Sequence, residues 1–314
     1  MKIVALAGGV GGAKLADGFY RLLPAGDLTV IVNTGDDFYH LGLRICPDLD
    51  TVCYTLAGLA NPSTGWGRID ESFTTLDSVA SLNGPVWFQL GDKDLGTHLV
   101  RTELLRSGKP LSEVVRQFCD TWGVQANIYP MSNDPVATIV HTRDYGNLPF
   151  QDYFVRMHCS PEVTGFSFDG IQKAVPAPGV LSALEAADLI VICPSNPWVS
   201  IAPILAVPGI RDVVKSKRSV VAVSPLVGGQ ALKGPAAKMF SELGWKPSAL
   251  AVANYYRDIL KSFVLDFVDQ GDCEEIRQWG IISYVTDTIM KDIPGRIRLA
   301  NTILNLASQH HGGA

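Results

Sequence analysis

The sequence predicts an α/β protein with a Rossmann-like, doubly wound and mainly parallel sheet that carries a mostly helical insert. Three observations support this fold class. A short apolar run at residues 2–7 ends in glycines, helical periodicity follows it, and a second apolar run occupies residues 28–32. Similar runs recur at 187–193 and 219–223, each ending in small or polar residues. Strands separated by helices in this way form parallel sheets, whose ligands bind at the carboxyl ends of the strands.

The first elements form a βαβ unit. Leu15, Phe19, Leu22 and Leu23 have helical spacing and predict a helix that starts at Gly12 and leads to the second strand. Because the crossover of such a unit is right-handed, we expect the two flanking strands to be parallel neighbours.

The rest of the chain divides into a core and an insert. Helical spacing dominates residues 51–123, which we expect to form the insert and part of the substrate site, and extended structure is predicted for 126–168. The core then comprises residues 1–50 and 124–314, with a disordered end at 310–314. Two helices of the insert are marked by Leu95, Leu99, Thr102 and Leu105, and by Leu111, Val115 and Phe118.

Composition argues against several classes of protein. Apolar residues make up 47% and charged residues 18% of the chain, and the net charge is −5, so we expect a large core, a homodimer, and no binding to nucleic acid or membranes. The run 189–210 is uncharged and long enough to span a bilayer, but its prolines predict a buried strand, a polar turn and a short helix. The six cysteines lack zinc-ligand spacing, and the apolar start is too short for a signal peptide, so we expect a cytoplasmic protein.

A glycine-rich turn after the first strand is the first candidate site. It contains Gly8, Gly9, Gly11 and Gly12, and Lys14 follows. Glycines let the backbone approach a phosphate closely, and the start of the helix supplies free N–H groups. The turn matches neither a Walker motif nor the dinucleotide fingerprint. We favour phosphate binding over a turn that only packs the helix on the sheet.

Aspartates follow the second predicted strand, first at Asp36 and Asp37 and then at Asp48 and Asp50. On one side of an extended turn, Asp48 and Asp50 offer oxygen ligands to Mg²⁺, which can neutralise a diphosphate in an acidic protein. Equally, either one can cap a helix that begins near Thr51. The spacing alone does not separate these interpretations.

A third charged segment runs from residue 90 to 101. Asp94 can cap the helix predicted there, and Lys93, His98 and Arg101 can reach an anion. A helix start of mixed charge is more often a solvated face, which is the interpretation that we favour.

Two polar turns follow predicted strands later in the chain. Ser195 and Asn196 lie in Pro-Ser-Asn-Pro, where hydroxyl, amide and N–H groups can hold a phosphate or a base. Residues 224–229 repeat this arrangement and are a weaker candidate, and Asp134 in another turn can join an acidic site. No catalytic role is expected for three isolated histidines: His40, His141 and His158.

Taken in order, these segments resemble the 2-phospho-L-lactate transferase family of coenzyme F420 biosynthesis. The resemblance covers residues 2–289 and rests on the glycine turn and on the motifs N-T-G-D-D, C-P-D-L-D-T, G-W-G, L-G-D-K-D-L-G-T-H, P-M-S-N-D-P, P-S-N-P and S-P-L-V-G-G. It implies a Mg²⁺-dependent enzyme. The terminal ribityl hydroxyl of a deazaflavin riboside (FO) attacks the distal phosphorus of a guanosine diphosphate-linked donor, and GMP leaves. The donor carries lactate, enolpyruvate or a glyceryl acid, which this sequence does not distinguish.

The resemblance also implies roles for residues. Asp50 would lie beside the FO hydroxyl and the metal, as metal ligand or proton acceptor, and Asp48 would support it. Gln89 matches an FO-binding position that is lysine in a relative. The departure argues against an ionic role at this position, while the amide can still hydrogen-bond the ring. Trp66 and Trp87 are candidates to stack on FO, although a core aromatic residue is the favoured interpretation for each. The guanosine diphosphate part would be held by Gly8, Gly9, Gly11, Gly12, Lys14, Ser195 and Asn196.

Two other functions stay open. A non-catalytic nucleotide-sugar sensor would share the fold and the glycine turn, and a nicotinamide dehydrogenase would share the first βαβ unit. The segments C-P-D-L-D-T and G-W-G favour the transferase, and the incomplete fingerprint weighs against the dehydrogenase.

Overall fold

The computed structural model describes residues 1–311, and their side chains as far as residue 307. Its strands are β1 (Ile3–Ala7), β2 (Leu28–Val32), β3 (Phe38–His40), β4 (Leu43–Ile45), β5 (Asn127–Pro130), β6 (Ala137–Thr142), β7 (Gly146–Pro149), β8 (Val163–Asp169), β9 (Leu189–Ile192), β10 (Val220–Val223), β11 (Leu226–Val227), β12 (Gln230–Ala231), β13 (Ser262–Asp266) and β14 (Ile282–Thr286). Its α-helices are α1 (Gly9–Leu22), α2 (Pro47–Leu56), α3 (Thr74–Ser81), α4 (Asp92–Arg106), α5 (Leu111–Thr121), α6 (Val180–Ala186), α7 (Ala202–Ala206), α8 (Ile210–Ser216), α9 (Ala236–Glu242), α10 (Ala249–Tyr255), α11 (Cys273–Gln278) and α12 (Ile293–His311).

Seven parallel strands form the central sheet, in the order β14-β13-β10-β9-β1-β2-β5. The chain runs from β1 outward through β2 to β5, and then returns to the other side of β1 and runs outward again from β9 to β14. The direction of winding therefore reverses between β1 and β9. In open α/β sheets ligands bind at this reversal, beyond the carboxyl ends of the strands. The doubly wound, mainly parallel sheet predicted from the sequence is confirmed.

Two hydrophobic cores lie on opposite faces of this sheet. In β1, Val4 and Leu6 face one core, while Ile3, Ala5 and Ala7 face the other. All five residues are buried, as expected for a central parallel strand covered on both faces. Helices α1, α2, α5 and α12 pack on the second face, and α6 and α8 to α11 pack on the first.

Two helices start earlier than predicted. Helix α1 begins at Gly9 instead of Gly12, and α2 begins at Pro47 instead of near Thr51. Proline suits the first helical position because it has no N–H to satisfy, and the carboxylates of Asp48 and Asp50 follow in the first turn, where the helix dipole favours negative charge. Neither carboxylate caps the helix, and the expected extended turn at these residues is wrong.

The helices expected between residues 51 and 123 are present as the rest of α2 and as α3 to α5. The division at residue 50 stays a prediction, and it falls inside α2. The extended stretch predicted for 126–168 supplies β5 to the central sheet, and β6, β7 and β8 form a separate antiparallel sheet. It also contains a π-helix at Asp152–Arg156.

The apolar run at 189–210 forms β9, a turn, a π-helix at Pro197–Ile201 and α7, so the predicted strand and turn are confirmed. Among the described residues, no single helix is both long and apolar enough to cross a membrane. One pair of helices bent by 94° (Pro197–Ala206 with Ile210–Ser216) has sufficient length and apolar composition when the two are taken together.

All six cysteines are free, and only Cys159 is not buried. Helix α12 continues through the first part of the predicted disordered end, and residues 312–314 lie outside the described residues.

Candidate active site

A cavity of about 920 Å³ lies at the carboxyl edge of the sheet, where β1 and β9 end. Its wall includes the glycine turn, the first turn of α2, the inner face of α4, and the turn after β9. Gly12 is not part of this wall, because it packs behind the turn. The other residues to which the family resemblance gives a role line the cavity: Gly8, Gly9, Gly11, Lys14, Asp48, Asp50, Trp66, Gln89, Ser195 and Asn196.

The glycine turn packs too tightly for side chains. A Cβ atom at Gly8 would lie 2.5 Å from Asp48 Oδ2, and one at Gly12 would lie 2.7 Å from Ser195 Oγ. At Gly11 it would overlap the carbonyl oxygen of Pro194. Packing therefore accounts for these glycines by itself, and the phosphate role stays a prediction.

Ser195 ties the glycine turn to the turn after β9. Its hydroxyl donates to the Gly8 carbonyl oxygen at 2.7 Å and accepts the Gly8 N–H at 3.1 Å. The N–H of Gly9 is also engaged, since it hydrogen-bonds the carboxylate of Asp48. An anion at the start of α1 would therefore meet the next N–H groups of the first turn, which have no acceptor within the helix.

Lys14 lies at the same end of the cavity and donates from Nζ to the carbonyl oxygen of Met290 at 3.0 Å. Burial lowers the pKa of this amine, and the positive charges of Arg296 and Lys233 lower it further. Asn196 turns inward from the cavity wall, because its Oδ1 accepts from the N–H of Trp198 at 3.0 Å and so caps the π-helix at Pro197–Ile201.

Asp48 and Asp50 lie two positions apart on α2, and they contact different groups because residues at this spacing do not share a helix face. Asp48 Oδ2 accepts from Asn33 Nδ2 at 3.0 Å, and the same amide donates to Asp36 Oδ1 at 3.2 Å. Burial raises the pKa of Asp48 to about 7 and raises that of Asp36 well above its usual range, with the Asp48 charge adding to the second shift.

Asp50 belongs to a charged cluster with α4. Its Oδ1 pairs with Arg101 Nη2, and its Oδ2 lies 3.7 Å from His98 Nδ1. On the other side of the imidazole, His98 Nε2 lies 3.4 Å from Asp94 Oδ2, and Asp94 accepts from the Tyr54 hydroxyl at 2.7 Å. Burial raises the pKa of Asp50, against the opposing charges of Arg101 and His98.

The ligand atoms of Asp50, Asp94 and His98 lie within 4.8 Å of one another. Asp50 Oδ2 is buried and has no hydrogen-bond partner among the described residues, so it can accept a hydrogen bond or bind a cation. Arg101 Nη1 donates to His98 Nδ1, so Nε2 carries the ring proton and faces Asp94 as a donor. Two carboxylates from the protein, completed by water and phosphate oxygens, are a usual Mg²⁺ environment. This donor set therefore fits a divalent cation at Asp50 and Asp94. Asp48 is not a member of this group of described residues.

Two predictions about α4 are wrong. Glu71 supplies the carboxylate at the start of this helix, where it accepts from the N–H groups of Lys93 and Asp94 at 2.8 Å. His98 and Arg101 are buried and face the cavity wall instead of forming a solvated surface. Helical spacing shows that Asp94, His98 and Arg101 share one face, since they are separated by four and three positions, but it does not show that this face is buried.

Aromatic and apolar side chains line another part of the cavity wall. Trp66 is 46% exposed and lies beside the opening, so the alternative of a core residue is wrong for it. Gln89 is exposed and its neighbours Trp87 and Phe88 pack against each other, while Phe150 and Phe154 stack at 5.3 Å. Asp134 does not join the acidic groups: it accepts from the N–H of Val175 at 2.9 Å.

Comparisons with known proteins agree with these features. The family model described as 2-phospho-L-lactate transferase CofD matches residues 3–275. A phosphoenolpyruvate transferase from Streptomyces griseus is 43% identical and covers 98% of this chain and 99% of its own length. A 2-phospho-L-lactate transferase from Methanosarcina barkeri is 39% identical and covers 97% and 98%. A crystal structure of a UPF0052 family protein from Bacillus halodurans has a TM-score of 0.63 at 14% identity, covers 96% and 98%, and supports the fold alone.

Proposed function

Because the chain belongs to the 2-phospho-L-lactate transferase family and is a transferase, we propose that it completes the phosphodiester of coenzyme F420 biosynthesis. In this reaction a phosphorylated three-carbon acid moves from a guanosine diphosphate-linked donor to FO. The observation that carries the proposal is one cavity whose wall combines the glycine turn and the start of α1, aromatic side chains, and the carboxylate of Asp50.

The glycine turn is suited to the diphosphate of the donor. The positive end of the α1 dipole and the uncapped N–H groups of its first turn attract an anion, and Lys14 and Lys233 also line this part of the cavity. The turn at 194–196 lines the same cavity and would contact the nucleoside through its backbone, since the Ser195 hydroxyl is engaged with Gly8. A local site of this kind does not require a positively charged protein, which agrees with the net charge of −5.

The aromatic wall is suited to the planar ring of FO. Trp66 and Phe154 are partly exposed at the cavity and provide surface for stacking, and Gln89 provides an amide for the polar edge of the ring. The terminal hydroxyl of the ribityl chain would then approach Asp50.

Asp50 and Asp94 are the residues that would hold Mg²⁺. When bound, the metal would neutralise charge on the phosphates and on the departing GMP. The ribityl oxygen forms a bond to the distal phosphorus, the bond from that phosphorus to the bridging oxygen breaks, and GMP departs with that oxygen. The hydroxyl proton passes to the carboxylate of Asp50. Positioning and charge neutralisation suffice for this chemistry, and no covalent intermediate with the protein is required.

The direct test is to incubate the purified protein with FO, Mg²⁺ and guanosine diphosphate-linked lactate, enolpyruvate and glyceryl acid in turn. We expect release of GMP and an FO adduct of higher mass with at least one donor. Absence of an adduct with all three would overturn the proposal. Mass analysis of the product from a mixture of donors then identifies the preferred acid, since relatives named for both phosphoenolpyruvate and 2-phospho-L-lactate are similar to this chain.

A cytoplasmic location and a homodimer remain part of this proposal. The family membership replaces the nucleotide-sugar sensor and the dehydrogenase as working hypotheses.

A further inference from the structure

Arg101 is one of the largest fully buried side chains of the described residues, with an exposed fraction of 2%. It stands behind the wall of the active-site cavity: in the described part of the chain that wall contains Asp50 and His98 but not Arg101. A guanidinium in this place cannot touch a substrate directly. Burying a charge is expensive unless the charge is paired, so its contacts should explain why it is there.

Both terminal nitrogens of the guanidinium have partners, whereas Nε is buried and has none among the described residues. Nη2 pairs with Asp50 Oδ1, while Nη1 donates to the carbonyl oxygen of Arg44 at 3.3 Å and lies 3.1 Å from His98 Nδ1. The ring of Phe118 lies 5.9 Å from its Cζ atom. The contacts fix the guanidinium plane, and the plane in turn fixes the orientation of the Asp50 carboxylate. Asp50 Oδ2 is left buried and without a hydrogen-bond partner among the described residues.

We propose that Arg101 is a positioning residue of the transfer reaction: it holds one oxygen of Asp50 so that the other stays directed at the reacting hydroxyl. This inference rests on the function proposed above. Lysine carries the same charge, but it lacks the planar fork that contacts Asp50, the Arg44 carbonyl and His98 together. The role therefore requires the geometry of arginine as well as its charge.

The test compares Arg101→Lys with Arg296→Lys. Arg296 is 18% exposed and pairs with Asp17 Oδ2 at 2.9 Å, away from Asp50, so it is a matched structural control. For Arg101→Lys we expect kcat to fall about 10- to 100-fold, as for a misplaced catalytic group, while KM for the donor and for FO changes less than about threefold. The rise in Tm on adding GDP should persist. Arg296→Lys should lower Tm and keep kcat.

Three other outcomes for the Arg101 variants would overturn the inference. Unchanged kcat in Arg101→Lys would show that the fork is not needed, and an increase in donor KM with unchanged kcat would put Arg101 on the donor. If Arg101→Lys does not fold, Arg101→Gln is used for the same test. If neither variant shows a cooperative unfolding transition, Arg101 is required for the fold and not for positioning Asp50. If the wild-type protein forms no adduct with any donor, the proposed function is refuted. If the wild type is active and Arg101→Lys is equally active, only the inference about Arg101 is refuted.

Discussion

Asp48 and Asp50 are separated by a single residue, yet the fold gives them different surroundings. Asp48 contacts the glycine turn and Asn33, whereas Asp50 contacts Arg101 and His98. Both carboxylates are buried, and in each case burial raises the pKa. Only Asp50 is paired with a cation and keeps an unpartnered oxygen among the described residues. At the scale of single residues, this difference favours Asp50 for catalysis and Asp48 for holding the turn.

Asp50→Asn tests that division of roles. The amide keeps the size of the side chain but removes the charge that would bind Mg²⁺ and accept the proton, so we expect kcat to fall at least about 100-fold. GDP binding, measured by calorimetry, should stay within about threefold, because the glycine turn does not contact Asp50. Asp134→Asn is the control, since this aspartate lies outside the cavity and accepts from Val175. Wild-type turnover in Asp50→Asn would exclude a catalytic role.

We expect Asp37 to make the stability of the protein depend on pH. It is fully buried beside Arg44, with Oδ2 3.1 Å from Nη2, and burial raises its pKa from 3.8 to about 6. The folded protein therefore binds this proton more tightly than the unfolded chain does. The associated stability is present below about pH 4 and is lost as the pH rises through 6, by about 3 kcal/mol for a shift of this size.

Urea denaturation of Asp37→Asn and wild type across this pH range provides the measurement. We expect the free energy of unfolding of the wild type to decrease more between about pH 4 and pH 6 than that of the variant. Parallel pH profiles for the two proteins would show that Asp37 titrates normally.

At the scale of elements, α4 shows what periodicity could and could not predict. The helix was expected from Leu95, Leu99, Thr102 and Leu105, and it is present. Leu99 is nevertheless 52% exposed, while the polar His98 is buried. Hydrophobic spacing identifies a helix, but it assigns the inner face to the apolar residues. In α4 the buried face contacts Asp50 instead of the hydrophobic core, and no local sequence pattern reveals this contact.

The junction of β1 and α1 tolerates no added atoms. In Gly12→Ala the new methyl group would lie 2.7 Å from Ser195 Oγ and 3.0 Å from Ala7 Cβ. We expect the free energy of unfolding to decrease by about 1–3 kcal/mol, the usual cost of overpacking. Gly96→Ala is the matched control: it lies within α4 with open space around its Cβ position, so alanine should increase stability by up to about 1 kcal/mol. Equal stability of both variants would contradict the close packing of the turn.

Two loops meet over the cavity and are joined by Lys233, whose Nζ donates to the carbonyl oxygen of Thr64 at 2.7 Å. Trp66 lies on the same loop as Thr64, so it can report on the contact. Lys233→Met should raise KM for the donor about two- to tenfold, the range of one surface hydrogen bond, and change the Trp66 emission. Lys246→Met alters an exposed lysine outside the cavity and should do neither. An unchanged KM and emission in Lys233→Met would refute the contact.

At the scale of the whole molecule, the sheet was the most predictable feature. The runs at 2–7, 28–32, 187–193 and 219–223 all became strands of the central sheet because buried parallel strands need continuous apolar residues. Asp50 and Arg101 pair although they lie 51 positions apart, and no local pattern in the sequence indicates that these two residues are in contact. The separate sheet of β6, β7 and β8 was likewise predicted only as extended structure.

Helix α12 completes the core although it follows the part of the chain that the family model matches. Helix α12 packs on α1, and its residue Ile303 is fully buried in the core on that face of the sheet. We expect Ile303→Ala to reduce the free energy of unfolding by about 2–4 kcal/mol, and Ile293→Ala, which is 42% exposed on the same helix, by less than about 1 kcal/mol. Denaturant titration provides both values, and similar losses would mean that α12 is not part of the core.

The hydroxyl bridge between Ser195 and Gly8 links chain positions 187 residues apart. During synthesis the glycine turn emerges early, but its neighbour after β9 is made only when well over half of the polypeptide has left the ribosome. A nascent chain that stops before β9 therefore has the glycines without the turn that completes this part of the cavity wall. Ligand capture should appear late in translation, together with closure of the central sheet, and a guanine nucleotide added to the growing chain would have nothing to stabilise before then.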